Sequence, residues 1–365
     1  MRFFHVRQAS RVAVPWIAAC LLLAAPLAAQ EPEEVDQNQV VAEIFGKTKT
    51  AASADDFTGI IDAIAAAQKL DLSPENAAYF KSLLAWSYNR RGEAVIEQLA
   101  GASDQQQAAK LAAHALADFE TSLQHDDTRW KTYVNRGVSY AQAGRLKEAE
   151  ADMSTAVRLN PQYANAWFNR GEIYYQLGQY DKAIADYQQV LRLSPRDFDA
   201  VTSIGHAYFV QQEYDNAILW YDRALQLQPR NAAALANRGD AYHRKGQWQR
   251  AGADYLAAVA LDENLGRVYQ SGAWLWATCP IAEARNPAEA VKAAEKAIAL
   301  DGDGNYQYLD TLAAAYARAG DFDKARTAIA QSIAKAPADE HDVLKMRQQL
   351  YAAGKPYEQF MFQEK

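Results

Sequence analysis

Cysteine is scarce in this sequence: among 365 residues there are two, Cys20 and Cys279. Cys20 falls in an N-terminal stretch that predicts a cleaved leader, so we expect no disulfide within the mature chain. Cys279 precedes Pro280 in a Trp-rich segment, where a buried structural cysteine is a better interpretation than a reactive thiol. Stability must therefore come from the packing of side chains.

Positive charge is also in deficit, because 38 basic residues face 45 acidic ones and the formal net charge is −7. Removal of residues 1–29 would take away three arginines and no acid, which makes the mature chain more acidic still. A net-acidic chain without a basic cluster argues against nucleic acid as a partner. We interpret the charge as a contribution to solubility.

Sequence patterns of catalysis and metal binding are missing. The six histidines do not pair with another His or Cys at metal-ligand spacing, and neither a phosphate-binding Gly-x-x-x-x-Gly-Lys-Ser/Thr loop nor a Gly-x-Ser-x-Gly elbow occurs. We predict no catalytic residue, no metal and no small-molecule cofactor. An enzyme would need titrating groups that the fold brings together, and His206, His243 and Asp240 are the candidates.

What the sequence does contain is a period of 34 residues. Four glycines mark it, each followed by a tyrosine three residues later and an alanine twelve residues later. The glycines are Gly137, Gly171, Gly205 and Gly239, and the alanines are Ala149, Ala183, Ala217 and Ala251. The spacing predicts two antiparallel helices per unit that cross where only Gly and Ala allow close approach. Prolines end three of the units: Pro161, Pro195 and Pro229.

These units resemble tetratricopeptide repeats. The unit of residues 164–197 follows that motif in order through Trp167, Gly171, Tyr174, Ala183, Tyr187 and Pro195. The resemblance implies an all-α right-handed superhelix of about seven to eight helix pairs, closed by a C-terminal capping helix. It also implies a concave face that binds an extended peptide.

The N-terminus predicts a secretory signal over residues 1–29, in which arginines precede an apolar run and small residues end at Ala29. A polar linker, residues 30–37, follows. Two alternatives stay open: an uncleaved anchor, and lipidation at Cys20, since residues 17–20 resemble a lipobox. The expected location is the periplasm or cell envelope.

The rest of the chain divides into helix pairs of unequal regularity. We predict divergent or elongated repeats at 38–128, regular repeats at 130–163, 164–197, 198–231 and 232–265, a degenerate repeat with an insertion at 266–305, a repeat at 306–339 and a capping helix and tail at 340–365. In the elongated unit, alignment of Tyr88 with Tyr140 places Leu84 at the position of Arg136 and predicts 18 inserted residues. Both helices of that unit should lengthen around residues 101–104.

The C-terminal tail is apolar for a chain end, with Tyr357, Phe360, Met361 and Phe362. We expect it to fold back onto the capping helix. The alternative is that a partner or a second copy takes it up, which would allow self-association.

An arginine and an aspartate recur at fixed positions of the repeat. Three units carry an arginine before the anchor glycine and an aspartate sixteen residues later: Arg136 with Asp152, Arg170 with Asp186, and Arg238 with Asp254. The unit that has Ile204 instead has Trp220 at the second position. This joint change predicts an ion pair between the two helices of a unit.

Three asparagines two residues before the anchor glycines resemble the asparagine ladder of peptide-binding arrays: Asn135, Asn169 and Asn237. A carboxamide donates and accepts at once, so it suits a peptide backbone. The alternative is that each bonds to a neighbouring helix or to water. Other residues projected onto the same face are Phe168, Glu172, Tyr175, His206, Phe209, Asp240 and His243.

Taken together, the sequence predicts a non-enzymatic scaffold for a protein or peptide partner in a cell-envelope assembly. A structural spacer or self-assembling element without a peptide ligand is the alternative.

Overall fold

The computed structural model describes residues 36–359, and all regular structure in that range is helical. Seventeen α-helices make eight successive pairs and one final helix, as the repeat pattern predicts. The chain divides into two compact units, the first ending at Gly178 and the second beginning at Gln179. The predicted signal, Cys20 and Phe360–Phe362 lie outside the described residues.

The first unit contains seven helices. They are α1 (Gln37–Thr48), α2 (Ala54–Ala67), α3 (Pro74–Gln98), α4 (Gln105–His125), α5 (Trp130–Gln142), α6 (Leu146–Leu159) and α7 (Ala164–Gln176). The N-terminal pair has the predicted apolar stripe: Phe57, Ile60 and Ile64 of α2 are buried. These residues share a core with Phe80 of α3, so α2 and α3 are joined by packing.

Helices α3 and α4 are long, with 25 and 21 residues, and a short 3₁₀ turn joins them. The predicted lengthening is confirmed, but the predicted register was wrong. Arg91, not Leu84, faces Asp118, and these two residues are 27 positions apart where Arg136 and Asp152 are 16 apart. The insertion is therefore eleven residues, because Gly92 rather than the position near Tyr88 makes the close crossing.

The predicted crossing contact occurs at Gly137, Gly205 and Gly239, each of which faces a helix of its own unit. A Cβ added at Gly137 would lie 3.0 Å from Met153, and one added at Gly92 would lie 2.6 Å from the Phe119 ring. At Gly92 this is closer than real Cβ atoms are found, whereas at Gly137 the methyl end of Met153 would have to shift slightly, so the close approach of the helices favours glycine at both positions. The bulky residue of the second helix thus fills the space that the absent side chain leaves.

The second unit contains ten helices. They are α8 (Tyr180–Leu193), α9 (Phe198–Val210), α10 (Tyr214–Leu227), α11 (Ala232–Arg244), α12 (Trp248–Leu261), α13 (Gly266–Thr278), α14 (Pro287–Asp301), α15 (Tyr306–Arg318), α16 (Phe322–Lys335) and α17 (His341–Ala352). Tyr221 and Tyr255 fill the crossings at Gly205 and Gly239. The turn between α11 and α12 has Gly246 at φ +69°, and the turn between α9 and α10 places Gln212 at φ +62°.

The predicted insertion lies between α13 and α14 and forms an irregular connection. It contains a 3₁₀ turn at residues 282–284, after which the Asn286 side chain accepts from the Glu289 N–H and Pro287 begins α14. Cys279 ends up fully buried beside Leu275 and Trp248, and burial raises the pKa of its thiol.

The capping helix α17 packs on α16 through Leu344 and Tyr351, which are buried. Val343 of the same helix is 42% exposed, so it does not belong to the face that covers α16. No helix within residues 36–359 has both the length and the apolarity needed to cross a bilayer.

Candidate binding surfaces on the first helices

The predicted ion pairs join the two helices of a repeat. Arg136 donates from Nε and Nη2 to the two carboxylate oxygens of Asp152, both at 2.8 Å, and these hydrogen bonds raise the pKa of the arginine. Arg238 makes the same contacts with Asp254 at 2.8 and 2.7 Å. Arg170 and Asp186 belong to different units, so that pair stays a prediction.

The asparagines of the two units have different surroundings. In the first unit, the Asn135 amide donates to Asn89 at 3.0 Å and to Glu93 at 2.8 Å, and Asn135 is buried. It therefore links α5 to α3, as the alternative to a peptide ladder requires. Asn169 is also buried, yet among residues 36–359 its side chain has no hydrogen-bond partner. Of the two, only Asn169 has an amide that remains available.

The other predicted residues of the first unit lie on α7. Phe168, Glu172 and Tyr175 are each partly exposed on that helix. They lie one and two turns apart, so α7 presents an aromatic, a carboxylate and a phenol on neighbouring positions.

In the second unit, Asn237 of α11 and His206 of α9 share a hydrogen bond of 2.8 Å between the amide nitrogen and Nε2. The imidazole also packs edge-on against Tyr221 at 5.7 Å. Burial lowers the pKa of His206 to about 4, with a smaller effect from the nearby charge of Arg267. The ring is consequently neutral near pH 7 and can accept the bond from Asn237.

Asp240, one turn further along α11, accepts two hydrogen bonds. Tyr255 donates its hydroxyl to Oδ1 at 2.7 Å, and Arg267 of α13 donates to Oδ2 at 2.7 Å. The carboxylate thus joins the core of its own repeat to the first helix of the next. Burial is the main reason that the pKa of Tyr255 is raised, and the Asp240 charge adds to it.

His243 completes the row on α11. Its ring packs edge-on against Trp248 at 5.2 Å, and Nε2 lies 3.2 Å from the side-chain oxygen of Gln359. Burial lowers the pKa of His243, which the Gln359 contact partly opposes. Phe209 of α9 packs edge-on against Tyr214 and remains partly exposed.

These contacts join the first helices of the second unit into one surface. His206 with Asn237 bridges α9 to α11, and Asp240 with Arg267 bridges α11 to α13. The same row continues to α15, because Gln270 donates to the Thr311 hydroxyl at 2.7 Å. Sequence reasoning missed the contributions of α13 and α15, since the degenerate unit lacks the asparagine and glycine that marked the others.

The candidate catalytic residues, His206, His243 and Asp240, each form hydrogen bonds with other side chains. His206 and His243 each contact a carboxamide, and both carboxylate oxygens of Asp240 are engaged by Tyr255 and Arg267. No group of three or more His, Cys, Asp or Glu side chains that would suit a metal ion occurs in the part of the chain that the structure describes.

Comparison with known proteins agrees with the repeat geometry. Four family models described as tetratricopeptide repeat or TPR repeat match residues 134–198, 205–246, 232–265 and 307–331. No curated protein shows significant sequence similarity to the chain.

Solved structures show the same fold at low sequence identity. A tetratricopeptide repeat protein from Parabacteroides merdae is 17% identical with a TM-score of 0.51, and the match covers 72% of this chain and 98% of that one. The C-terminal part of a TPR repeat-containing protein from Cytophaga hutchinsonii is 19% identical at TM-score 0.52, covering 69% and 98%. Pseudomonas aeruginosa pilF is 19% identical at 0.51, covering 60% and 98%. With its helix pairs, its glycine crossings and the four family-model matches, the chain belongs to the tetratricopeptide-repeat family.

Proposed function

We propose that this chain is a non-enzymatic scaffold that binds an extended segment of a partner protein on the first helices of its repeats. The supporting observation is the joined surface of α9, α11, α13 and α15, held by side-chain bonds between neighbouring helices. A surface fixed in this way loses little conformational entropy when a partner binds, which favours affinity.

The chemistry of this surface suits a peptide. Asn237, Asp240 and His243 follow one another at three-residue intervals on α11 and are partly exposed, with Phe209 on the neighbouring α9. Amide, carboxylate and imidazole groups match the donors and acceptors of a peptide backbone, while an aromatic ring provides an apolar contact. In the first unit, Asn169 and Phe168 offer the same combination.

The test is photocrosslinking in cells, with a photoreactive residue at Phe209 and mass spectrometry of the captured proteins. The matched control is the same probe at Leu219, which is 64% exposed on the second helix of the same repeat. We expect one defined partner from Phe209 and none from Leu219. A separate probe at Phe168 tests the first unit, where we expect Asn169→Ala to reduce capture.

A structural spacer is the second candidate function. Capture of only a second copy of this chain, or of nothing above the Leu219 control, would contradict partner binding and favour the spacer.

We further propose that the chain is exported, for which the support is sequence alone. Fusion of residues 1–36 to a periplasmic reporter enzyme should give active reporter with a new N-terminus after Ala29. A Cys20→Ser fusion is the control, because loss of membrane attachment in that variant would favour lipidation over simple cleavage. An inactive reporter retained in the cytoplasm would contradict export.

A further inference from the structure

The last described residues, 355–359, have no regular secondary structure and contact other residues of the second unit; we call them the tail segment. Gly354, at φ +69°, follows the end of α17, and residues 355–359 are not helical. Two hydrogen bonds to its main chain hold the tail segment. The Gln359 N–H donates to the carbonyl of Thr278 at 2.8 Å, and the Arg318 side chain donates to the carbonyl of Tyr357 at 2.9 Å. The segment therefore lies across α15 and the end of α13.

A side chain of the tail segment also forms ion pairs with the second unit. The Glu358 carboxylate lies 2.8 Å from Arg285 and 3.2 Å from Arg318. Glu358 is itself about half exposed, with 48% of its side chain accessible, so this contact is open to exchange.

Tyr357 occupies a separate place beside an aromatic ring and a cation. Its ring lies 5.9 Å from that of Trp274, and the Arg347 guanidinium lies 4.7 Å from the Tyr357 centroid and 4.8 Å from the Trp274 ring. Tyr357 also packs against the core cluster that includes Leu344 and Tyr351 of the capping helix, and Arg347 belongs to that helix too, so this part of the tail folds back as predicted. Stacking on a guanidinium favours an aromatic residue at this position.

We call Trp274, Arg285, Arg318 and Arg347 the seat of the tail segment. The three arginines of the seat also make contacts with residues outside the tail segment. Arg285 donates to the carbonyls of Cys279 and Pro280, Arg318 to that of Ala277, and Arg347 pairs with Asp310. Such anchoring keeps a binding site formed when its ligand leaves.

The tail segment also reaches the candidate binding surface, because Gln359 contacts His243 of α11. The chain's own C-terminal residues thus cover one end of the surface to which we assign partner binding.

We propose that the seat is a recognition site for an aromatic residue followed by a carboxylate, and that the tail segment is its built-in occupant. A partner would carry the same pair in an extended segment and displace Tyr357 and Glu358 as it binds. This inference rests on the proposed scaffold function and gives the chemistry of the partner. The two arginines select a carboxylate, and Trp274 with Arg347 selects the ring.

The test uses a fluorescent peptide with the sequence of residues 354–365 and measures its binding to the full-length mature chain by fluorescence anisotropy. Two chains are compared, wild type and Glu358→Lys, in which the tail segment loses its ion pairs. We expect the peptide to bind the Glu358→Lys chain at least about tenfold more tightly, since losing charge-assisted bonds frees the seat. A peptide with Tyr357→Ala and Glu358→Lys is the matched control and should bind neither chain.

Equal affinity for both chains, or equal binding of the control peptide, would overturn the inference. So would a wild-type dimer that becomes monomeric in Glu358→Lys, because the occupant would then be the tail of a second copy. Photocapture from Phe209 separates the two proposals: an unchanged partner yield in Glu358→Lys contradicts displacement but leaves the scaffold function in place.

Discussion

Arg91 donates from Nε and Nη2 to the two carboxylate oxygens of Asp118, at 2.9 and 2.7 Å, in the same bidentate geometry that joins Arg136 to Asp152. The elongated helix pair therefore keeps the crossing contact of the regular pairs despite eleven additional residues. The contact belongs to the crossing itself and does not depend on helix length.

The Arg–Asp pairs at the crossings should stabilise the fold, because the aspartate of each pair is buried. Arg136→Ala would leave Asp152, whose side chain is 7% exposed, without its counter-ion, and we expect a loss of about 3 kcal/mol in the free energy of unfolding. Urea denaturation followed by circular dichroism measures it. Arg326→Ala is the control, since Arg326 and Asp323 are 46% and 89% exposed, and should change stability by less than about 0.5 kcal/mol. Equal effects would contradict a special role for the crossing pair.

The glycine crossings predict opposite outcomes for two Gly-to-Ala substitutions. At Gly239 the added methyl would lie 2.8 Å from the Tyr255 ring, and we expect destabilisation by about 1–3 kcal/mol. At Gly59, an exposed position of α2 with nothing within 4 Å, we expect stabilisation by roughly 0.5–1 kcal/mol from improved helix propensity. Thermal unfolding of both variants is the measurement, and a stable Gly239→Ala protein would show that the helices can move apart.

His206 predicts that the second unit weakens in acid. Its folded-state pKa of about 4 lies below the usual value of 6.5, so the folded state disfavours the protonated form. The contribution to the free energy of unfolding is complete above pH 6.5 and is lost as the pH falls toward 4, which amounts to about 3 kcal/mol. Thermal midpoints measured from pH 7.5 to 4.5 should fall less steeply for His206→Gln than for wild type. Parallel curves would mean that other groups cause the acid sensitivity.

The two asparagines of the first unit should separate structural from binding roles. Asn135→Ala removes bonds to Asn89 and Glu93, and we expect a loss of about 1–2 kcal/mol of stability. Asn169→Ala removes no hydrogen bond among the described residues and should cost less than about 0.5 kcal/mol. Denaturant titration of both variants decides this. If Asn169→Ala unfolds as easily as Asn135→Ala, its effect on partner capture cannot be assigned to recognition.

Prediction from the sequence succeeded where each position repeats and was wrong where the repeat was modified. Gly137, Gly205 and Gly239 specify their crossings independently, because a Cβ at each would crowd the facing helix. In the elongated unit only one glycine, Gly92, makes that contact, and the neighbouring aromatic Tyr88 suggested a register seven residues away. No second copy of the unit was present to exclude that alignment.

The candidate surface shows a similar division. The spacing of Asn135 and Asn237 correctly places both on first helices, yet their hydrogen bonds depend on the residue that the preceding helix presents, Glu93 in one case and His206 in the other. Those partners lie 42 and 31 residues earlier, outside the period of 34, so periodicity alone does not pair them.

By itself, the sequence determined the helix pairs, their crossings and the ion pairs within a repeat, because these contacts form between residues a constant distance apart in the chain. Only the tertiary structure decided which polar side chains bridge neighbouring first helices and that Tyr357 and Glu358 lie on Trp274, Arg285 and Arg318. Such contacts join distant parts of the chain through complementary charge and shape. They leave no periodic trace in the sequence, since each occurs once.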